Sequence, residues 1–302
     1  MRACLLAWFM AGAALGACAD DDGDDGDDAG ASTLYDRLGG APGIGDVIED
    51  FVARVENDAK INGYFLNATV DRDRLIDCLI RQVGNATGGP QVYPDPANGC
   101  RAMDEAHAGL GISSQDFDDL VGHLVDALDA AQVSTDEVTE ITAVLAPLEP
   151  DIVEDVDNDL TVYQRVGRKP AIAAVIDLFL GNVLADARIN GFFADPRVMH
   201  LRTCLIRQVC SIDGPCRYGR EVEHPADPGV TTFDHCAGMV QAHTGVLDTD
   251  ANPIVIEDFN ALVEDLVAAL DTGGVTTADK NAILGVLGPL CSSIVSVPGN
   301  CP

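Results

Sequence analysis

The sequence predicts an all-α protein made of two copies of one helical unit, and three observations carry that expectation. Apolar residues recur at helical spacing: Val47, Ile48, Phe51 and Val55, then Phe117, Leu120, Val121, Leu124 and Leu128, then Val138, Ile141, Leu145, Leu148 and Ile152. The period-two alternation of half-buried strands is missing. Finally, the chain repeats itself. Cys78-Leu79-Ile80-Arg81-Gln82-Val83 returns as Cys204-Leu205-Ile206-Arg207-Gln208-Val209, and Asn62-Gly63-Tyr64-Phe65 returns as Asn190-Gly191-Phe192-Phe193. Tyr35 answers Tyr163, Phe51 answers Phe179, and Cys100 precedes His107 by the same interval that separates Cys236 from His243. Landmarks kept in one order imply one fold used twice.

In chain order, residues 1–17 read as an export signal, with basic Arg2 and an apolar run from Leu5 to Leu15 too short for a stable membrane helix. Leu15-Gly16-Ala17-Cys18 resembles a bacterial lipobox, which makes Cys18 the expected lipidation site and the lipid anchor the only membrane attachment. The alternative is a soluble secreted protein cleaved nearby. Either way the protein is expected outside the cytoplasm, and a lipoprotein would be periplasmic or anchored at the outer membrane or cell surface. Residues 18–32 are dominated by Asp and Gly, a self-repelling composition suited to an acidic tether.

The first unit spans 33–153, an acidic join 154–160 follows, and the second unit spans 161–295 before a short tail, 296–302. Each unit is long enough for one core. Start signals fit: Ser134 with Glu137 and Thr276 with Asp279 have capping-box spacing, Asp being the poorer partner. Gly88-Gly89-Pro90 and the stretch from Pro94 to Gly99 break the chain before His107, and a longer break, from Ser211 to about Thr232, precedes His243.

The chain carries 18 Lys and Arg against 49 Asp and Glu, a net charge of -31, which makes nucleic acid an unsuitable partner because phosphates would be repelled. Of ten cysteines, Cys4 lies in the export segment and Cys18 is the lipidation candidate, leaving an even number in an oxidising compartment. Matched positions suggest Cys78 with Cys100 and Cys204 with Cys236, and proximity suggests Cys210 with Cys216 and Cys291 with Cys301. This is one connectivity among many. No Cys-x-x-Cys spacing supports a zinc site.

Leu34-Tyr35-Asp36-Arg37-Leu38-Gly39-Gly40, Asn62-Gly63-Tyr64-Phe65, Gly88-Gly89-Pro90 with Tyr93, Glu105-Ala106-His107-Ala108-Gly109-Leu110-Gly111-Ile112 and Val121-Gly122-His123-Leu124 occur in that order. Together they resemble a group 1 truncated haemoglobin. The second unit follows with more divergence, offering Val166-Gly167-Arg168 for the glycine pair, Asp213-Gly214-Pro215 with Tyr218, and Gln241-Ala242-His243-Thr244-Gly245. The resemblance implies tandem two-over-two helical domains, each holding a haem b, with His107 and His243 as proximal iron ligands. Binding iron through a neutral imidazole nitrogen is what a globin asks of this residue type. Only these two of six histidines are matched between units; His200, His224 and His235 have no counterpart, and His123 stands where the second unit has Asp265.

By the same resemblance Phe65 and Phe193 pack on the haem, and the ligand side is lined by Val52, Leu75 and Leu79 in the first unit and by Leu180, Leu201 and Leu205 in the second. The family's usual tyrosine and glutamine donors are replaced there by Val52 and Leu79, and by Leu180 and Leu205. Bound O₂ carries partial negative charge, so a missing charge-assisted hydrogen bond forfeits roughly 1.5–3 kcal/mol, about ten- to a hundred-fold in affinity. NO and CO need that bond less. The expected function is reversible binding of a diatomic gas (O₂, NO or CO), with an electron donor left unnamed. The alternatives are a haem enzyme of NO dioxygenase or peroxidase type, and a sensor or interaction module whose second unit has lost its haem.

Overall fold

Helix caps and apolar stripes place fourteen α-helices in the computed structural model, which describes residues 32–66, 70–193, 198–219, 236–296 and 301. In the first half these are α1 (Leu34–Arg37), α2 (Gly40–Asn57), α3 (Arg72–Ala86), α4 (Met103–His107), α5 (Ser114–Ala130), α6 (Thr135–Leu145) and α7 (Glu149–Ile152). The second half repeats the order as α8 (Val162–Arg165), α9 (Arg168–Ala185), α10 (Val198–Cys210), α11 (Met239–His243), α12 (Ile256–Thr272), α13 (Thr277–Leu287) and α14 (Cys291–Ile294). The described residues contain isolated β-bridges but no strand. None of their helices is long and apolar enough to cross a membrane. The export signal, Cys18, His224 and His235 lie outside the described residues.

Helix α2 illustrates why these segments fold as they do. Ile44, Val47, Ile48, Phe51, Val52 and Val55 form one buried stripe. It packs against α3 and α5, as α9 packs against α10 and α12, which gives each half a two-over-two arrangement. Burying each such side chain contributes about 1.5–3 kcal/mol. Ser113 and Ser134 form reciprocal capping boxes with Asp116 and Glu137. At Thr276 the hydroxyl accepts from the Asp279 amide and donates to Asp279 Oδ2 at 2.7 Å, Oδ1 takes Arg165 at 2.8 Å, and the return bond from the Thr276 amide is not formed.

Two apolar cores form, one around Ile44, Ile48 and Val55, the other around Ile172, Ile176 and Val183. Even so, residues 33–302 pack as one unit. The contact between halves is polar and buried. Arg168 Nη1 donates to Asp116 at 2.9 Å and to Asp119 at 2.7 Å, and Gln164 donates its amide to Asp116. Lys169 reaches Asn62 at 3.0 Å, and the Tyr163 hydroxyl donates to the Lys60 carbonyl at 3.1 Å. A Cβ on Gly63 would come within 2.9 Å of Pro215, so the second half sits directly on the Asn62-Gly63 turn. The join is not a free separator either. Glu154 and Asp155 donate their amides to the Ile112 carbonyl, and the Asp155 carboxylate accepts from Asp159 and Leu160. An acidic run reads as a simple join when its backbone partners, here the Ile112 carbonyl and the nearby amides of Asp159 and Leu160, are not visible.

The two bridges suggested by matched positions, Cys78–Cys100 and Cys204–Cys236, and the two suggested by proximity, Cys210–Cys216 and Cys291–Cys301, are all present. The first two tie α3 and α10 to the segments that lead into α4 and α11. Removing one such bridge, as in Cys78→Ser with Cys100→Ser, should lower unfolding stability by about 2–4 kcal/mol in urea melts.

One polar pair differs between halves. His123 Nε2 meets Asp58 Oδ2 at 2.8 Å, so His123 is a paired, half-buried residue rather than a plain surface one. In the second half Asp265 and Asp186 occupy those places and set two carboxylates together. Burial, and then the Asp186 charge, push the Asp265 carboxyl above its usual range, and its Oδ2 finds no hydrogen-bond partner. The fold therefore disfavours the ionised form, a penalty present above the raised value and absent below the unfolded one. Asp265→Asn should stabilise the protein at about pH 7 and lose that gain by about pH 3.5. An equal gain at both would contradict this account.

Candidate functional site

Each half encloses a cavity whose floor is a short helix ending in histidine. Helix α4 has only five residues, too few to be stable alone. Its position comes from the Cys78–Cys100 bridge just upstream, from packing against α7, and from Gly109 and Gly111 downstream, whose φ values of 76° and 64° suit glycine. The helix aims His107 into the first cavity, and α11 does the same for His243 in the second.

The rings are oriented identically. His107 Nδ1 lies 2.8 Å from the Met103 carbonyl, and His243 Nδ1 lies 2.8 Å from the Met239 carbonyl. A carbonyl only accepts, so Nδ1 carries the hydrogen and a neutral ring keeps its lone pair on Nε2. That tautomer is the one a metal ligand needs, with the second nitrogen held by a backbone acceptor.

The first cavity, about 340 Å³, takes Leu75, Cys78, Leu79 and Gln82 from one stripe of α3, Phe51 from α2, and Phe65 from the turn after it. The second, about 530 Å³, takes Leu201, Cys204, Leu205 and Gln208 from α10, with Phe179 and Phe193. His107, Phe65, Leu75 and Leu79 thus converge on one space, and His243, Phe193, Leu201 and Leu205 on the other. Val52 and Leu180 do not. Each follows the phenylalanine that faces the cavity, so helix geometry rotates it by about 100°. They lie instead in the apolar cores, at 1% and 6% exposure. The wall they were expected to form is supplied by Phe51 and Phe179.

Several lining residues were not singled out from sequence. Gln82 and Gln208 bring an amide to each cavity; their place in the twinned motif, seven residues beyond Leu75 and Leu201, was a usable signal. Arg74 and Arg101 line the first cavity and make no carboxylate ion pair among the described residues. In a chain so rich in acid, two guanidinium groups free of carboxylates at a cavity edge are suited to a ligand that brings its own anions. At the equivalent places the second half has His200 and Ala237, and no Arg or Lys is found among the described residues lining that cavity. Tyr93 and Tyr218 play matched roles. Their hydroxyls donate to the carbonyls of Arg101 and Ala237 at 3.0 and 3.2 Å, and burial pushes both phenols up.

Residues 33–154 match the bacterial-like globin family. The group 1 truncated hemoglobin GlbN of Mycolicibacterium paratuberculosis is 34% identical over 131 residues, which span 91% of that protein and 43% of this chain. The chain belongs to the group 1 truncated haemoglobins. A second relative of that name, from a Nostoc species, is 32% identical over 106 residues, covering 84% of its length and 35% of this chain. Among solved structures, the truncated hemoglobin of Tetrahymena pyriformis in its Fe(III) form is similar at 23% identity and a TM-score of 0.37, covering 40% of this chain and 98% of that one. The 2/2 hemoglobin of Synechococcus sp. PCC 7002, described in the cyanomet state with covalently attached heme, is similar at 26% identity and the same TM-score, with the same coverage. For a truncated haemoglobin, haem-based binding of a diatomic gas is the implied activity.

The tautomer can be read directly. Ring-nitrogen NMR of the haem-free protein should find the Nδ1–H tautomer at His107 and at His243. Protonation on Nε2 in either ring would contradict the geometry.

Proposed function

We propose that this truncated haemoglobin is a tandem haem protein working outside the cytoplasm, with one haem b in each half, reversibly binding a diatomic gas. The observation that carries this reading is the pair of apolar cavities, each presenting one imidazole whose Nδ1 is committed to a carbonyl. When bound, the porphyrin would supply an iron with a coordination position open to gas.

The residues fit that group. His107 and His243 would hold the iron through Nε2, and Phe51, Phe65, Phe179 and Phe193 offer aromatic faces to the ring. Arg74 and Arg101 suit the two propionates in the first half. His200 and Ala237 offer less at the second, so its haem should be held more weakly. Leu75 and Leu79, with Leu201 and Leu205, keep the ligand side apolar, which favours CO and NO over O₂. Export rests on the lipobox-like Leu15-Gly16-Ala17-Cys18 and on the even cysteine set, all of which is bridged. In this reading Cys18 carries the lipid, and an unidentified electron donor keeps the iron reduced.

Absorption spectra of hemin-loaded parent, His107→Ala and His243→Ala proteins test it. Each variant should lose about half of the histidine-ligated Soret intensity, and Arg74→Ala should speed hemin release from the first half several-fold. An unchanged Soret band in both histidine variants would remove the reading.

A further inference from the structure

Both sides of the first cavity are held from outside the first half. Tyr64 and Asp116 line that cavity, and the Tyr64 hydroxyl donates to Asp116 Oδ2 at 3.1 Å. The Asp116 carboxylate, on a residue 3% exposed, is in turn bound by Gln164 and by Arg168 from the second half. On the histidine side, the Glu154 carboxylate accepts from the amides of Gly109 at 2.6 Å and Gly111 at 2.7 Å, two and four residues beyond His107.

Among the described residues, the second cavity shows no such support. Phe192 replaces Tyr64 and has no hydroxyl, Ala261 replaces Asp119, and Ser296 replaces Glu154. Asp258, the counterpart of Asp116, accepts only from the Val255 amide, 2.9 Å away, among the described residues. Arg168 itself is informative. Its counterpart in the first half is Gly40, and both hold left-handed backbone, with φ of 62° and 65°. An arginine therefore occupies a conformation that favours glycine, and its guanidinium, 7% exposed, ends on two carboxylates of the other half.

We propose that Arg168 and Gln164 are positioning residues for the first cavity: the seating of the second half fixes Asp116 and Tyr64, and hemin retention beside His107 depends on it. The inference rests on the haem reading above. Because coupling between two events is reciprocal, a filled first cavity also tightens the contact between halves.

The test uses the full chain in a His243→Ala background, loaded with hemin, so that the histidine-ligated spectrum reports the first cavity. Transfer of hemin to an excess of apo-globin acceptor is timed for that parent and for Arg168→Gly, Arg168→Lys and Gln164→Ala. Glycine suits the local backbone, so Arg168→Gly should keep its helix content and yet release hemin roughly tenfold faster. Arg168→Lys, which keeps the charge but ends its chain one atom short of the Nη1 that makes both contacts, should fall between. Ile283→Ala, a truncation in the second half's own core, should release hemin at the parental rate. Equal rates across the Arg168 and Gln164 variants, or an Ile283→Ala rate matching Arg168→Gly, would overturn the positioning role while leaving the haem reading intact. A parent that takes up no hemin overturns both.

Discussion

The hydrogen bond from His107 Nδ1 to the Met103 carbonyl, repeated at His243 and Met239, is the constraint on which the rest of the structure depends. That bond orients each ring relative to its own helix, so the helix itself must be held in place. Everything around α4 and α11 serves that requirement. A disulfide fixes the entry, left-handed glycines or their equivalents fix the exit, and a matched tyrosine, Tyr93 or Tyr218, pins the carbonyl at Arg101 or Ala237. A five-residue helix contributes little stability of its own. Covalent and hydrogen-bonded supports replace the packing that a longer helix would provide.

The two halves share this plan but differ in how they close the Asn-Gly turn. Gly63 is covered by Pro215 and Cys216, held by the Cys210–Cys216 bridge that only the second half possesses. Gly191 is covered by Asp248 and Thr249 of its own half, from a loop that lengthens the path between His243 and α12. The surface the first half offers to its neighbour is thus already occupied in the second, which explains why the same docking cannot simply be repeated. Arg168 is the price of that docking: its left-handed backbone costs about 1–2 kcal/mol, offset by charge-assisted bonds of about 1.5–3 kcal/mol each.

Much of this was legible in the sequence. Helices α2, α5 and α6 were visible because their apolar residues keep a period of 3.6, two bridges were visible because both copies preserve the same cysteines at matched places, and the other two because their cysteines lie close in sequence. His107 and His243 stood out by the same doubling. What stayed hidden depends on distant partners. Nothing local marks Arg74 and Arg101 as cavity-edge residues, or shows that Glu154 reaches back to Gly109 and Gly111. Arg168 was visible as a departure from the glycine pair, but its meaning required Asp116 and Asp119. Val52 and Leu180 show the opposite limit, since a one-residue step around a helix moves a side chain from cavity to core.

Among the described residues, the second cavity is the larger and the less well furnished with cations, and its histidine side shows no clasp like the one Glu154 gives the first. On the proposed reading, this asymmetry would give the halves different haem retention without different chemistry. The most direct measurement is a crystal structure of the chain grown with hemin. The account predicts iron bound to Nε2 of His107, with Nδ1 still bonded to the Met103 carbonyl, and the same arrangement at His243. Iron held by another side chain, or cavities that collapse with both rings turned into protein, would contradict it.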